Sequence, residues 1–139
     1  MRSTILATAA ALTMLALAGC SSAESAAAPT PTATKELSTL YGALRDCNLS
    51  AATPGFTLGD AEMSLVIDTA GDDDAPQLDA KYEDALCVLE ALDVPDATLN
   101  LIQTTRALDG RQDGTWGDVD ATWSYHPDSG LNMTLQATS

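Results

Sequence analysis

Between Thr115 and Leu135 the chain reads TWGDVDATWSYHPDSGLNMTL, with apolar residues on every second position and two turn signals between them. A period of two belongs to a strand with one buried face, so this stretch predicts a β-meander. The first turn signal, Gly117-Asp118, suits a two-residue primed hairpin turn that pairs Trp116 with Val119. That register sends Trp116, Val119, Ala121, Trp123 and Tyr125 to one face, and Asp113, Thr115, Asp120, Thr122, Ser124 and His126 to the other. The second signal, HPDSGL, separates two registers. A four-residue loop pairing His126 with Leu131 would turn Leu131, Met133 and Leu135 onto the polar face. A three-residue Asp128-Ser129-Gly130 loop, with Gly130 left-handed, pairs Pro127 with Leu131 and Tyr125 with Met133, and keeps every apolar residue on one side. The second register is therefore the predicted one.

Such a face needs a cover, and the upstream sequence supplies helices. From Glu36, the residues Leu37, Leu40, Tyr41, Leu44 and Cys47 recur at helical spacing until Asn48 and the run to Pro54-Gly55 end the pattern. Met63, Leu65 and Ile67 then alternate with Ser64, Val66 and Asp68 as a strand, and GDDDAP follows as a loop. A second helix is predicted from about Asp79 to Leu92, with Tyr82, Ala85, Leu86, Leu89 and Leu92 as its stripe and Asp79 placed to cap it. Val94-Pro95-Asp96 breaks the chain and restarts a shorter helix on Leu99, Ile102 and Thr105, whose end near Arg106 to Gly110 has no clear signal. The expectation is an α+β fold: an antiparallel sheet of about four strands with three helices over the tryptophan face, in the order α-β-α-α-β-β-β, the other face wet.

The N-terminus addresses location. Arg2 is followed by the uncharged run Ile5 to Leu17, 13 residues long, then by Ala18 and Gly19. This is a secretory leader, shorter than the roughly 20 helical residues that span a bilayer. Its end, Leu17-Ala18-Gly19-Cys20, resembles the lipobox of bacterial lipoproteins. That resemblance implies a signal peptide at 1–19, cleavage before Cys20, and a diacylglycerol (palmitate-type acyl chains) on the Cys20 thiol. The alternative is an ordinary secretory leader with a cysteine near its end. Two or three acyl chains, at about 0.8 kcal/mol per buried methylene, would hold the protein firmly on the extracytoplasmic face of the cell membrane. Residues 21–34, SSAESAAAPTPTAT, contain nothing to bury and follow Cys20 as a tether, about 20 Å across as a coil and about 40 Å when extended. The folded domain is then expected at 35–139. The body, especially CVLEALDVPDATLNLIQTTRALDGRQDGTW and WSYHPDSGL, resembles a set of small exported proteins of high-GC Gram-positive bacteria over roughly 36–137. No activity, and so no catalytic residue, comes with that resemblance.

Cleavage leaves Cys47 and Cys87 as an even pair in an oxidising space, which predicts a disulfide; two separate buried thiols are the alternative. Cys47 lies on its predicted stripe and Cys87 lies off its own, so the bridge would join a helix flank.

Charge narrows the partners. The mature chain carries 20 acidic residues against Lys35, Arg45, Lys81, Arg106 and Arg111, a net −15 once Arg2 is removed. Nucleic acid, bound through Lys and Arg contacts to phosphate, is excluded. An anionic lipid surface is repelled within a Debye length of about 8 Å. Asp72, Asp73 and Asp74, near Asp68 and Asp79, are weak calcium candidates that match no EF-hand, and a solvated turn leading into a helix is the preferred account of the same residues. His126 is the only histidine; Ser124, His126 and Asp128 form a poor copy of a hydrolase triad, and no set of zinc ligands exists beside a paired Cys47 and Cys87. No cofactor motif is present. Trp116, Trp123, Tyr125 and Tyr41 read first as core, with a ligand groove as the alternative. Arg106 and Arg111, flanking Leu108-Asp109-Gly110, read first as surface ion pairs with Asp109 and Asp113, and an interaction loop of Arg106, Asp109 and Arg111 is the alternative. These features point to a membrane-tethered, non-enzymatic interaction or ligand-binding module with an envelope protein or small ligand as partner. The alternative is a small glycan-acting envelope hydrolase using acidic residues.

Overall fold

A computed structural model describes residues 38–138. The expected leader, Cys20 and the tether lie outside the described residues.

The described chain runs α1 (Thr39–Asp46), β1 (Phe56–Gly59), β2 (Ser64–Asp68), α2 (Tyr82–Ala91), α3 (Asp96–Thr104), β3 (Gln112–Trp116), β4 (Val119–His126) and β5 (Gly130–Ala137). The sheet has five strands in the order β1-β2-β5-β4-β3, each paired antiparallel to its neighbours. The α+β class and the three helices agree with the sequence, while β1 is an addition to the expected four strands. Its pairing with β2 passes through a turn in which Asp60, Ala61 and Glu62 have φ of 50, 56 and 77°. Turns of that kind normally show Gly or Asn, and this one carries neither, so no local signal marked the hairpin.

The meander keeps its predicted faces but changes its pairing. Trp116 pairs with Val119 as expected, whereas Tyr125 pairs with Leu131, Trp123 with Met133 and His126 with Gly130. The predicted partners were Pro127 for Leu131 and Tyr125 for Met133. A shift of two residues preserves the side of every residue. Pro127 has no N–H to give a ladder and sits in the turn instead, while Gly130, at φ 65°, closes the hairpin.

The core lies between one sheet face and the helices. Leu65, Ile67, Trp116, Val119, Ala121, Trp123, Leu131, Met133 and Leu135 are buried from the sheet, and Leu40, Leu44, Ala85, Val88, Leu89 and Ile102 from the helices. Fully burying each large side chain contributes about 1.5–3 kcal/mol. Both tryptophans also tie sheet to helix end: Trp116 Nε1 donates to the Leu92 carbonyl at 3.1 Å and Trp123 Nε1 to the Thr105 hydroxyl at 2.9 Å. Thr105 Oγ1 in turn donates to the Leu101 carbonyl at 2.7 Å, so this buried hydroxyl is satisfied on both sides.

Helix ends differ from expectation. Ser38 caps α1, its hydroxyl accepting from the Tyr41 N–H at 3.1 Å. For α2 the expected cap at Asp79 is not made: the helix begins at Tyr82, and Lys81 stands at its N-cap without a side-chain hydrogen bond. The buried stripe of α2 is Ala85, Val88 and Leu89, rotated so that Tyr82 is 37% exposed. Cys47, at the end of α1, and Cys87, on the flank of α2, form a disulfide with Cα atoms 6.0 Å apart. Among the described residues no helix is long and apolar enough to cross a membrane.

Candidate functional site

Two recesses share a wall at the end of α3. The chain leaves that helix at Thr105, whose buried side chain pins the exit to Trp123, and then makes a 3-10 turn over Ala107–Asp109 before entering β3. This is the region where the sequence offered no helix-stop signal, because the stop depends on a tryptophan 18 residues further along.

The turn is fastened by one pair of side chains. Asp109 Oδ2 accepts from the Arg106 backbone N–H at 2.8 Å and from its Nε at 3.2 Å, and Oδ1 accepts from Nη2 at 2.9 Å. The Asp109 N–H donates back to the Arg106 carbonyl at 2.9 Å. Gln112 Nε2 adds a bond to the Asp109 carbonyl at 2.7 Å. Hydrogen bonds from the Arg106 side chain and backbone hold the Asp109 carboxyl below the usual carboxylate range, and the same pairing strengthens protonation of Arg106. At the apex of the clamped turn stands Leu108, 96% exposed. Arg111 points elsewhere, its Nη1 donating to the Thr122 hydroxyl on β4 at 3.1 Å. Of the loop residues flagged from sequence, Arg106 and Asp109 are thus joined and Arg111 is not part of the clamp.

On one side of the turn a recess of about 670 Å³ is lined by Leu101, Thr104, Thr105, Arg106, Asp109 and Gln112. On the other, a groove of about 450 Å³ runs toward Tyr82, Tyr125 and the start of β5. Tyr125 was expected in the core, and its register does turn it to the core face. It is nevertheless 37% exposed and forms a wall of this groove, facing the core side of the sheet without being buried there. The Tyr82 phenol is pushed up, first by burial and then by Tyr125.

The acidic stretch is built differently. Asp74 Oδ2 accepts from the Gly71 N–H at 2.9 Å, while the N–H groups of Asp72 and Asp73 donate to the carbonyls of Pro127 and Asp128. This backbone is stitched to the β4–β5 turn, and its cluster is a structured loop. Asp79 is half-buried, its carboxyl pushed up by that burial and then by Asp74 and Asp68. A shallow dent of about 170 Å³ beside it includes Asp84, below the roughly 300–1,000 Å³ of ordinary ligand pockets. No group of three or more His, Cys, Asp or Glu residues able to hold a metal ion occurs among the described residues. His126 Nδ1 accepts from the Asp128 N–H at 3.2 Å, and no hydrogen bond reaches the ring from Ser124.

No protein-family model, curated protein or solved structure matches the chain, so the reading of these recesses rests on their own residues.

Proposed function

We propose that the chain is a lipid-anchored extracytoplasmic protein whose folded domain works as a non-enzymatic docking module, with the Arg106–Asp109 turn as its contact. One observation carries this reading: a leucine left 96% exposed at the apex of a turn that four hydrogen bonds between Arg106 and Asp109 hold in shape. An apolar side chain on a preorganised turn loses little conformational entropy when a partner buries it. Burying one leucine contributes about 1.5–3 kcal/mol, enough to make it a central anchor. The occupant that suits it is an envelope protein with an apolar pocket to receive Leu108, whose complementary edge enters the recess between Leu101 and Gln112. The two larger recesses contain one carboxylate between them, Asp109, and it is already engaged by Arg106, which supports binding over acid–base chemistry.

The test is a photo-crosslinking residue placed at Leu101 in the whole anchored chain, with and without Leu108→Ser. A discrete adduct that the serine variant removes supports the reading. An adduct indifferent to Leu108, or no adduct, overturns it. Intact-mass analysis of the mature chain checks the anchor separately: a diacylglyceryl adduct on an N-terminal Cys20 is expected.

A further inference from the structure

The groove on the far side of the turn has a chemistry of its own. Its two aromatic walls come from separate elements, Tyr82 as the first residue of α2 and Tyr125 near the end of β4, and each is 37% exposed. Only six aromatic residues are present in the chain, and two of them face this one space. The floor is apolar or already satisfied: Ile102 and Leu131 are buried, and the Thr69 hydroxyl accepts from the Leu131 N–H at 2.8 Å. The rim is polar and open. Gln103 makes no side-chain hydrogen bond among the described residues, and the Thr104 hydroxyl, donating to the Asn100 carbonyl at 2.8 Å, keeps its accepting capacity.

Charge selects among occupants. In a chain with 20 acidic residues the groove lining contains no carboxylate, and its one ionised side chain, Arg106, is held by Asp109 through two nitrogens. A cation would find a guanidinium and no counter-charge. An anion would find the charge of that guanidinium already paired with Asp109 and the surrounding body net negative. A neutral aromatic compound would stack on the tyrosines but leave the Gln103 amide facing an apolar edge. A sugar ring matches both halves, with C–H faces for the aromatic walls and hydroxyls for the amide and threonine rim.

We propose that the groove between Tyr82 and Tyr125 binds a neutral saccharide, stacked between the two rings and held by Gln103 and Thr104. The volume of about 450 Å³ is within the range of small-ligand sites, and the groove adjoins the larger recess across Thr104, Thr105 and Arg106. This site stands on residues distinct from Leu108, so the docking reading and the saccharide reading can fail separately.

The experiment is saturation-transfer NMR followed by calorimetric titration on the whole chain, in a detergent without a sugar headgroup. The probes are maltotriose, cellotriose and triacetylchitotriose, with indole as the neutral aromatic control. At least one trisaccharide is expected to bind saturably, and Tyr82→Leu and Tyr125→Leu are each expected to weaken it about three- to tenfold. Gln103→Ala, at an exposed helix position, supplies a variant with no core role and is expected to weaken it as well, while Leu108→Ser leaves it unchanged. Absence of saturable binding by all three sugars, binding indifferent to all three groove substitutions, or tyrosine-dependent binding of indole alone overturns the proposal.

Discussion

Gly130 shows how much one missing methyl group decides. It closes the last hairpin at φ 65°, and a Cβ there would collide with the carbonyl of Thr69, which the chain brings alongside. Gly130→Ala is therefore expected to destabilise the domain by about 3 kcal/mol or more, combining a left-handed alanine with a backbone clash, as thermal denaturation would show. Ala61 is the opposite case. It adopts φ 56° in the β1–β2 turn, so Ala61→Gly is expected to raise stability by about 0.5–1 kcal/mol in the same assay. Asp109 sets the pH response of the docking turn. Its folded pKa is depressed by the Arg106 hydrogen bonds, so its contribution is fully present above the unfolded carboxylate range and disappears as pH falls through the lower folded value. The Arg106 amide resonance is expected to stay constant from neutral pH through the ordinary carboxylate range and to move only below it. Asp109→Asn should shift that resonance at neutral pH.

Among the elements, α1 and α2 depend most on a covalent link. The disulfide joins the end of one to the flank of the other, 40 residues apart in sequence. Reduction is expected to cost about 3 kcal/mol and lower the melting temperature by roughly 15 °C, read by circular dichroism with and without reductant. The start of α2 is the weaker end. Lys81 offers no cap, and Asp79, which the sequence placed there, stands before the first turn with a raised pKa. A raised carboxyl disfavours the folded state while ionised, and that penalty fades as pH falls through the folded value. Asp79→Asn is thus expected to stabilise the domain at neutral pH, with a gain that shrinks toward acid. A gain independent of pH would contradict this assignment.

For the molecule as a whole, charge and the proposed lipid tether would act together. With the leader removed as proposed, a net −15 would oppose an anionic lipid surface over about 8 Å, a shorter distance than the proposed tether would reach. The domain without its lipid is expected to stay unbound in sedimentation with phosphatidylglycerol vesicles at low salt. Firm binding there would assign Leu108 to the bilayer instead of to a protein.

The amino-acid order alone determined which residues of the meander turn inward, because a period of two leaves each side chain one face whatever the pairing partner. It also determined the α+β class, since apolar spacing is a local property, whereas the Cys47–Cys87 pairing could be expected from it only by setting Cys20 aside as the lipidated residue, and was decided by the fold. Tertiary structure decided the rest. Strand β1 exists because β2 was available to pair with it across a turn lacking glycine, and the meander pairing settled where Pro127 could give no N–H. Tyr82 and Tyr125 carry spacing that reads as core, yet each stays 37% exposed in the groove they line. Burial is set by what packs above a residue, and for these two that depends on where distant helices end.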